Sequence, residues 1–384
     1  MSRLKWQIVV GVVLVAVLSV VSAVAQRSSQ SKSFPVKKGG LLVVDTDNVS
    51  ADIHIKVWAK SEVLVKVDGI SEDDMVDLEM KESGNTVYVE YFGKDRRWHR
   101  SQHARFVISV PSEFNLELAT SGGDISVDDK LKGDVEAATA GGDIEVDDVD
   151  GNVELATSGG DVSVRNVTGD AELATSGGDI DVGEVKGKLD VKTSGGDIEV
   201  GNVGQGIDAK TAGGDIIIGD VGGDADVATA GGDVELGRVA GAADLRTAGG
   251  DIEVRSARGE VSARTAGGDV RLADIKGTVE AETAGGDVVV ELTPEGRRGS
   301  VLETKGGDIE LFIPAGAKAT IEADIRLHRG WADDHDEYDI YSDFKADSKD
   351  KDKRGIHATY VLNGGGPKIV LETMHGNIEI RKLK

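Results

Sequence analysis

The 384-residue chain has no cysteine, only five prolines, and six Phe, five Tyr and four Trp; none of these aromatics lies between Phe114 and Phe312. Without cysteine there is no disulfide framework, no thiolate nucleophile, no sulfur-ligated metal and no lipid-modified cysteine terminus. Without aromatics over nearly 200 residues there is no bulky core there and no stacking platform for sugars. Basic residues are also scarce, 44 against 69 acidic, for a formal charge of −25. A field of that sign repels phosphate, so nucleic acid is excluded as a partner of the whole surface. What the chain has instead is glycine, 52 residues, about twice the ~7% usual in globular proteins.

The first 25 residues read as a targeting segment. Arg3 and Lys5 precede an apolar run from Ile8 to Ala25, and Ala23-Val24-Ala25 forms a small-residue cleavage pattern before Gln26. The expectation is export to the periplasm, cell surface or exterior, with cleavage after about Ala25. An uncleaved N-terminal membrane anchor is the alternative, because 18 such residues reach the lower limit for a span. Residues 26–39 read as a polar tether.

Beyond them one motif organises the chain. Thr-(Ser/Ala)-Gly-Gly-Asp begins at Thr120, Thr139, Thr157, Thr175, Thr193, Thr211, Thr229, Thr247, Thr265 and Thr283, a period of 18 after a first step of 19, with degenerate copies at Thr304 and Thr373. Self-similarity at a fixed period is the signature of a stacked repeat. Within each unit, as in Gly142-Asp-Ile-Glu-Val146 and Gly151-Asn-Val-Glu-Leu155, apolar and polar residues alternate over four or five positions bounded by glycine, the pattern of a short half-buried strand. A helix would have to absorb a glycine every few residues at about 1 kcal/mol each. Two strands per coil, each pairing with its copy 18 residues on, predict an all-β, parallel β-solenoid, right-handed because parallel crossovers are. Ten coils at about 4.8 Å make a rod on the order of 50 Å long. The predicted core columns run from Ile144 and Val146 in one strand and from Val153 and Leu155 in the other.

The motif residues have structural readings. Each threonine shares the parity of the apolar positions before it, which turns its hydroxyl inward or makes it a turn cap. The paired glycines are expected to supply φ > 0 in a tight turn. Asp124, Asp143, Asp161 and their equivalents to Asp308 form an outward column. Either each carboxylate accepts hydrogen bonds from the N–H groups of its own turn, or the column is a row of calcium sites. No other cofactor is implied. A second acidic column runs Glu136, Glu154, Glu172, Asp190, Asp208, Asp226, Asp244 and Glu280, and residues 121–290 carry 36 acids against 14 bases.

A solenoid needs caps. Residues 40–118 supply an N-terminal β cap with strands near Leu41–Asp45, Ile53–Val57, Val63–Val67, Val87–Phe92 and Phe106–Val110; repeats fill 119–313, and 314–384 form a C-terminal cap with an acidic, aromatic insertion near 328–356. Two segments concentrate aromatics and charge and are the candidate contacts for an envelope or surface polymer or protein: Arg96, Arg97, Trp98, His99 and Arg100 in the first, Trp331, His335 and Tyr338 in the second. End-to-end self-association of rods is a further expectation.

The passage Phe106–Val127, the repeated Gly-Asp-Ile strands and the ending Leu362–Ile380 resemble the putative-adhesin family of bacterial β-strand-repeat proteins, the DUF4097 type, and are similar to the head domains of autotransporter adhesins. The resemblance spans roughly residues 40–384. It implies a right-handed β-solenoid on an exported bacterial protein with a non-enzymatic structural or adhesive role in the cell envelope, and it brings no catalytic residues. Two other classes stay open beside it: a calcium-binding repeat protein and a carbohydrate-active β-helix enzyme. The enzyme would need carboxylates at a defined separation.

Overall fold

Alternation decides which side of each strand is buried. In one coil, Ile144–Asp150 and Val153–Ala156 are strands, and Ile144, Val146, Val153 and Leu155 are each at most 3% exposed. The computed structural model describes residues 28–46, 49–70, 77–92, 104–326, 338–352 and 354–383, and every regular element among them is a strand. Each strand of the repeat lies parallel to its copy one coil away and in register, Ile144 opposite Val162 and Val153 opposite Ala171. The coils therefore build two long sheets facing one another across a thin aliphatic interior, and neither closes on itself. The expected core columns are all buried.

A further inward column was not anticipated. Val149, Val167, Val185, Val203, Val221 and Val239 are also buried, because the longer strand of each coil bends after its second apolar residue and leaves two successive residues facing out. The bend breaks strict alternation, so a period of two misses the column while the period of 18 preserves it.

The motif locks each coil to the one before. The Thr157 hydroxyl, 6% exposed, donates to the Gly142 carbonyl at 2.8 Å and accepts the Gly160 N–H at 3.4 Å. The same pair of bonds recurs from Thr139 to Thr283. The glycines act differently from expectation: the motif glycines are not in the positive-φ region. The second of each pair is required by close approach instead. A Cβ on Gly160 would lie 2.1 Å from the Gly142 carbonyl oxygen, whereas one on Gly159 meets nothing nearer than 3.6 Å. The aspartates also differ. Asp143 Oδ1 accepts the N–H of Asp161 in the next coil at 2.9 Å rather than a bond from its own turn. That chain of bonds continues coil by coil to Asp308, which accepts from Asn377 at 2.7 Å. A second such row mixes acids and amides: Asp134 accepts from Asn152, Asn152 from Asp170, and Asp170 from Lys188. An amide serves as well as a carboxylate there, so the bond needs an acceptor and not a charge.

Stack order departs from chain order at both ends. The strands Gly40–Thr46 and Ala51–Trp58 lie between the coil beginning at Phe114 and the strands Thr86–Tyr91 and Ala104–Pro111, which follow them in the chain. Thr46 to Asp52 stand in for a motif: Thr46 bonds the Ala119 carbonyl, and Asp52 receives the Asp124 N–H. At the other end Lys368–Thr373 and Ile378–Leu383 slot between the coil Ser300–Pro314 and the strands Ala319–Arg326 and Ile340–Ser342. Antiparallel strands cover both ends: Ser28–Pro35, Glu62–Ile70 and Leu78–Ser83 at one, Gly355–Leu362 and Ser348–Asp352 at the other. Ser28–Pro35 falls in the segment expected to be a tether. It is an edge strand because Phe34 and Val36, 5% and 7% exposed, give it apolar anchors.

Candidate functional site

The outward face of the short strands carries an extended concavity. Residues just before and within each short strand line a groove of roughly 1420 Å³ running from Asn115 to Ser262. One wall is the second acidic column, held directly opposite its own copies: Glu136 faces Glu154, Glu172 faces Asp190, and Asp226 faces Asp244. Like charges opposite one another in a sheet are unfavourable. Two positions along the chain settle how each is relieved. Asp190, Asp208 and Asp244 have a cation there, with Lys192 at 2.8 Å, Lys210 at 2.7 Å and Arg246 in contact. The hydrogen bonds to Asp190 and Asp208 hold Lys192 and Lys210 above the usual ammonium value. Glu117, Glu136, Glu154 and Glu172 have alanine at that position instead, Ala119, Ala138, Ala156 and Ala174; Asp226 also has an alanine, Ala228, but Arg246 of the next coil comes within 3.9 Å of it.

The groove therefore has a bare anionic half and a compensated half, and the whole rod follows it. Residues 121–237 hold 27 acids against 7 bases, residues 238–298 hold 11 against 9. The acidic rod is thus graded, strongly negative toward the N-terminal end. The signal lay in the sequence, but summing over the entire repeat hid it.

Of the residues predicted as contacts, Arg96, Arg97, Trp98, His99, Arg100, Trp331 and His335 lie outside the described residues. Tyr338 is partly buried and packs against the core of the C-terminal cap. The structure does bring together one set that sequence reasoning missed, because its members are 72 residues apart. His54 Nδ1 lies 2.5 Å from Ser126 Oγ, and its Nε2 lies 3.2 Å from Asp128. A serine, an imidazole and a carboxylate in contact are the parts of a nucleophile. Here they sit on the outer side of two strands that are each paired on both edges. The set ties the first coil to its neighbour.

Among the described residues no three His, Asp or Glu side chains converge on a point where a metal ion would sit. The Asp column spends its Oδ1 atoms on backbone N–H groups. Thermal melts in EDTA and in millimolar calcium are accordingly expected to coincide; a midpoint rising by several degrees with calcium would show that the column is a set of sites.

The architecture defines a class: an open two-sheet β-solenoid with 18-residue coils latched by a Thr-x-Gly-Gly-Asp turn and sealed by antiparallel strands. The chain belongs to the Toastrack DUF4097 family, whose model matches residues 42–219 and 203–343. No curated protein matches it. Similar solved structures include a putative adhesin from Bacteroides fragilis, 14% identical over 62% of this chain and 99% of that one, TM-score 0.37. Others are a putative cell adhesion protein from Clostridium sporogenes, 7% identical over 93% and 100% of the two chains, TM-score 0.17, and a putative lipid binding protein from Parabacteroides distasonis, 13% identical over 93% and 97%, TM-score 0.20.

Proposed function

We propose that this chain is an exported, non-enzymatic, adhesin-like rod of the bacterial cell envelope, which meets its partner along the groove face. The observation that carries the reading is how the repeated polar groups are employed. Threonine hydroxyls and aspartate carboxylates, the residues a catalytic site would use, bond the backbone of the neighbouring coil. What remains for outside contact is a long face of low chemical variety, suited to an extended polymer or protein surface. The graded charge gives that face a direction, since a cationic or hydroxyl-rich partner meets bare glutamates only at its N-terminal half.

The test is location and processing in producing cells. Intact cells are treated with a protease that cannot cross the outer membrane, and permeabilised cells serve as the control. The reading expects a chain outside the cytoplasm whose mature N-terminus, by mass spectrometry, is near Gln26. A chain that retains Met1 and fractionates with soluble cytoplasmic proteins would overturn it.

A further inference from the structure

The C-terminal end of the second sheet is an open strand edge. Among the described residues Ser348–Asp352 pairs only with Gly355–Leu362, and all five of its residues are exposed. Its sequence, Ser-Lys-Asp-Lys-Asp, alternates charge. Open edges are templates for pairing with another chain, and a rod built from identical parallel coils is especially exposed to that hazard.

Two features of the strand bear on it. The first is the face its lysines occupy. Lys349 lies opposite Ala358 and Lys351 opposite Ile356, both buried, so the lysines share the core-facing parity of the sheet while the aspartates share the outer one. Lys349 reaches across the end of the interior to the other sheet, where its ammonium bonds the Ile340 carbonyl at 2.9 Å and pairs with Asp339 at 2.7 Å. An added coil would have to bury these ammonium groups where the aliphatic columns would otherwise continue.

The second feature is hydrogen-bond parity. Along any strand the backbone N–H and C=O groups of successive residues point to opposite edges. In antiparallel pairing, residues directly opposite one another either both bond across the interface or both do not. When two copies of the same edge meet, opposite residues must therefore be an even number of positions apart. On Ser348–Asp352 that rule sets each Lys only against Lys and each Asp only against Asp or the neutral Ser348, so every regular register places like charges opposite one another and none pairs Lys with Asp, and like charges so placed are destabilising. A block pattern such as Lys-Lys-Asp-Asp would not carry this guarantee; strict alternation does.

We propose that Ser348–Asp352 is a self-rejecting end cap: its inward lysines and alternating charge refuse a second copy of the chain, so the rod stays a single unit with respect to this edge. The proposal concerns assembly and stands apart from the functional reading above.

Analytical ultracentrifugation of the chain from Gln26 tests it. The wild type is expected to sediment as one chain into the hundreds of micromolar. Lys351→Val, which leaves the Lys349–Asp339 pair in place, is expected to self-associate at least about 10-fold more tightly, and Lys349→Val/Lys351→Val at least about 50-fold. Lys351→Arg keeps the positive charge at this position and is expected to behave as wild type. Far-UV circular dichroism and melting midpoint confirm folding of each variant. Low-micromolar self-association of the wild type that Asp350→Lys abolishes would overturn the proposal, because the edge would then be an adhesive one. Folded Lys351→Val protein as monomeric as wild type at every concentration would overturn it too, even if the double variant fails to fold.

Discussion

Gly196→Ala is expected to destabilise the middle of the rod by about 3 kcal/mol or more, while Gly195→Ala, one residue earlier, changes stability by less than about 1 kcal/mol. The residues are identical and adjacent, and both lie outside the positive-φ region, so backbone freedom does not separate them. Space does. A methyl on Gly196 would sit 2.1 Å from the Gly178 carbonyl oxygen and 2.5 Å from Asp179 Oδ1, while one on Gly195 comes no nearer than 3.4 Å to the Gly177 carbonyl oxygen. Relieving the first contact means prising two coils apart, which also stretches the Thr193 bond to Gly178 and the Asp197 bond to Asp179. Urea unfolding followed by far-UV circular dichroism reads both variants. Equal losses from the two would show that the pair serves a turn conformation instead.

The second large effect concerns length. Deleting residues 194–211 joins Thr193 to Ala212 and restores an intact Thr-Ala-Gly-Gly-Asp turn, with every column moved up by one coil. That variant is expected to fold, as a rod shorter by about 4.8 Å. Deleting residues 365–384 removes about as many residues and is expected to be ruinous. It takes out the coil that carries Ile369, Leu371, Ile378 and Ile380, all fully buried, and leaves the strand Ala319–Arg326 with no coil to pair against. At about 1.5–3 kcal/mol per buried aliphatic side chain, the four alone amount to about 6–12 kcal/mol, the size of a whole domain's stability. Melting curves of the two deletions decide it. A C-terminal deletion that retains the wild-type midpoint would mean that the last coil is dispensable.

These two results also mark how far the sequence could be read. The period of 18, the strand positions and the buried columns follow from spacing alone, because a stack repeats every constraint and a repeated constraint is visible. Where the constraint acts once, it was not visible. Thr46 and Asp52 act as a motif with Ala51 in place of glycine, and nothing local in Thr46–Asp52 announces it; only contact with Thr120 and Asp124 does. The threading of the first and last coils between their neighbours is likewise a matter of order in space. The reason for the second glycine needed the neighbouring coil's carbonyl in view, and the aspartates' partners lay 18 residues away rather than within their own turn. For the candidate site, the acidic column was legible, but the division between Ala138, Ala156 and Ala174 on one side and Lys192, Lys210 and Arg246 on the other was not drawn from it. His54 and Ser126 were invisible as a pair because 72 residues separate them.

The empty stretch between Phe114 and Phe312 has a spectroscopic consequence. All four tryptophans, Trp6, Trp58, Trp98 and Trp331, lie outside the repeats, and Trp58 is fixed in the first coil by a bond from its indole N–H to the Glu62 carbonyl at 2.8 Å. Emission from Trp58 therefore reports on the N-terminal end while the repeats, which hold no tryptophan, stay dark, and far-UV ellipticity, dominated by the stacked strands, reports on the rod. One sample heated once yields both readouts, and the interval between their midpoints measures how firmly the N-terminal end is coupled to the column it closes.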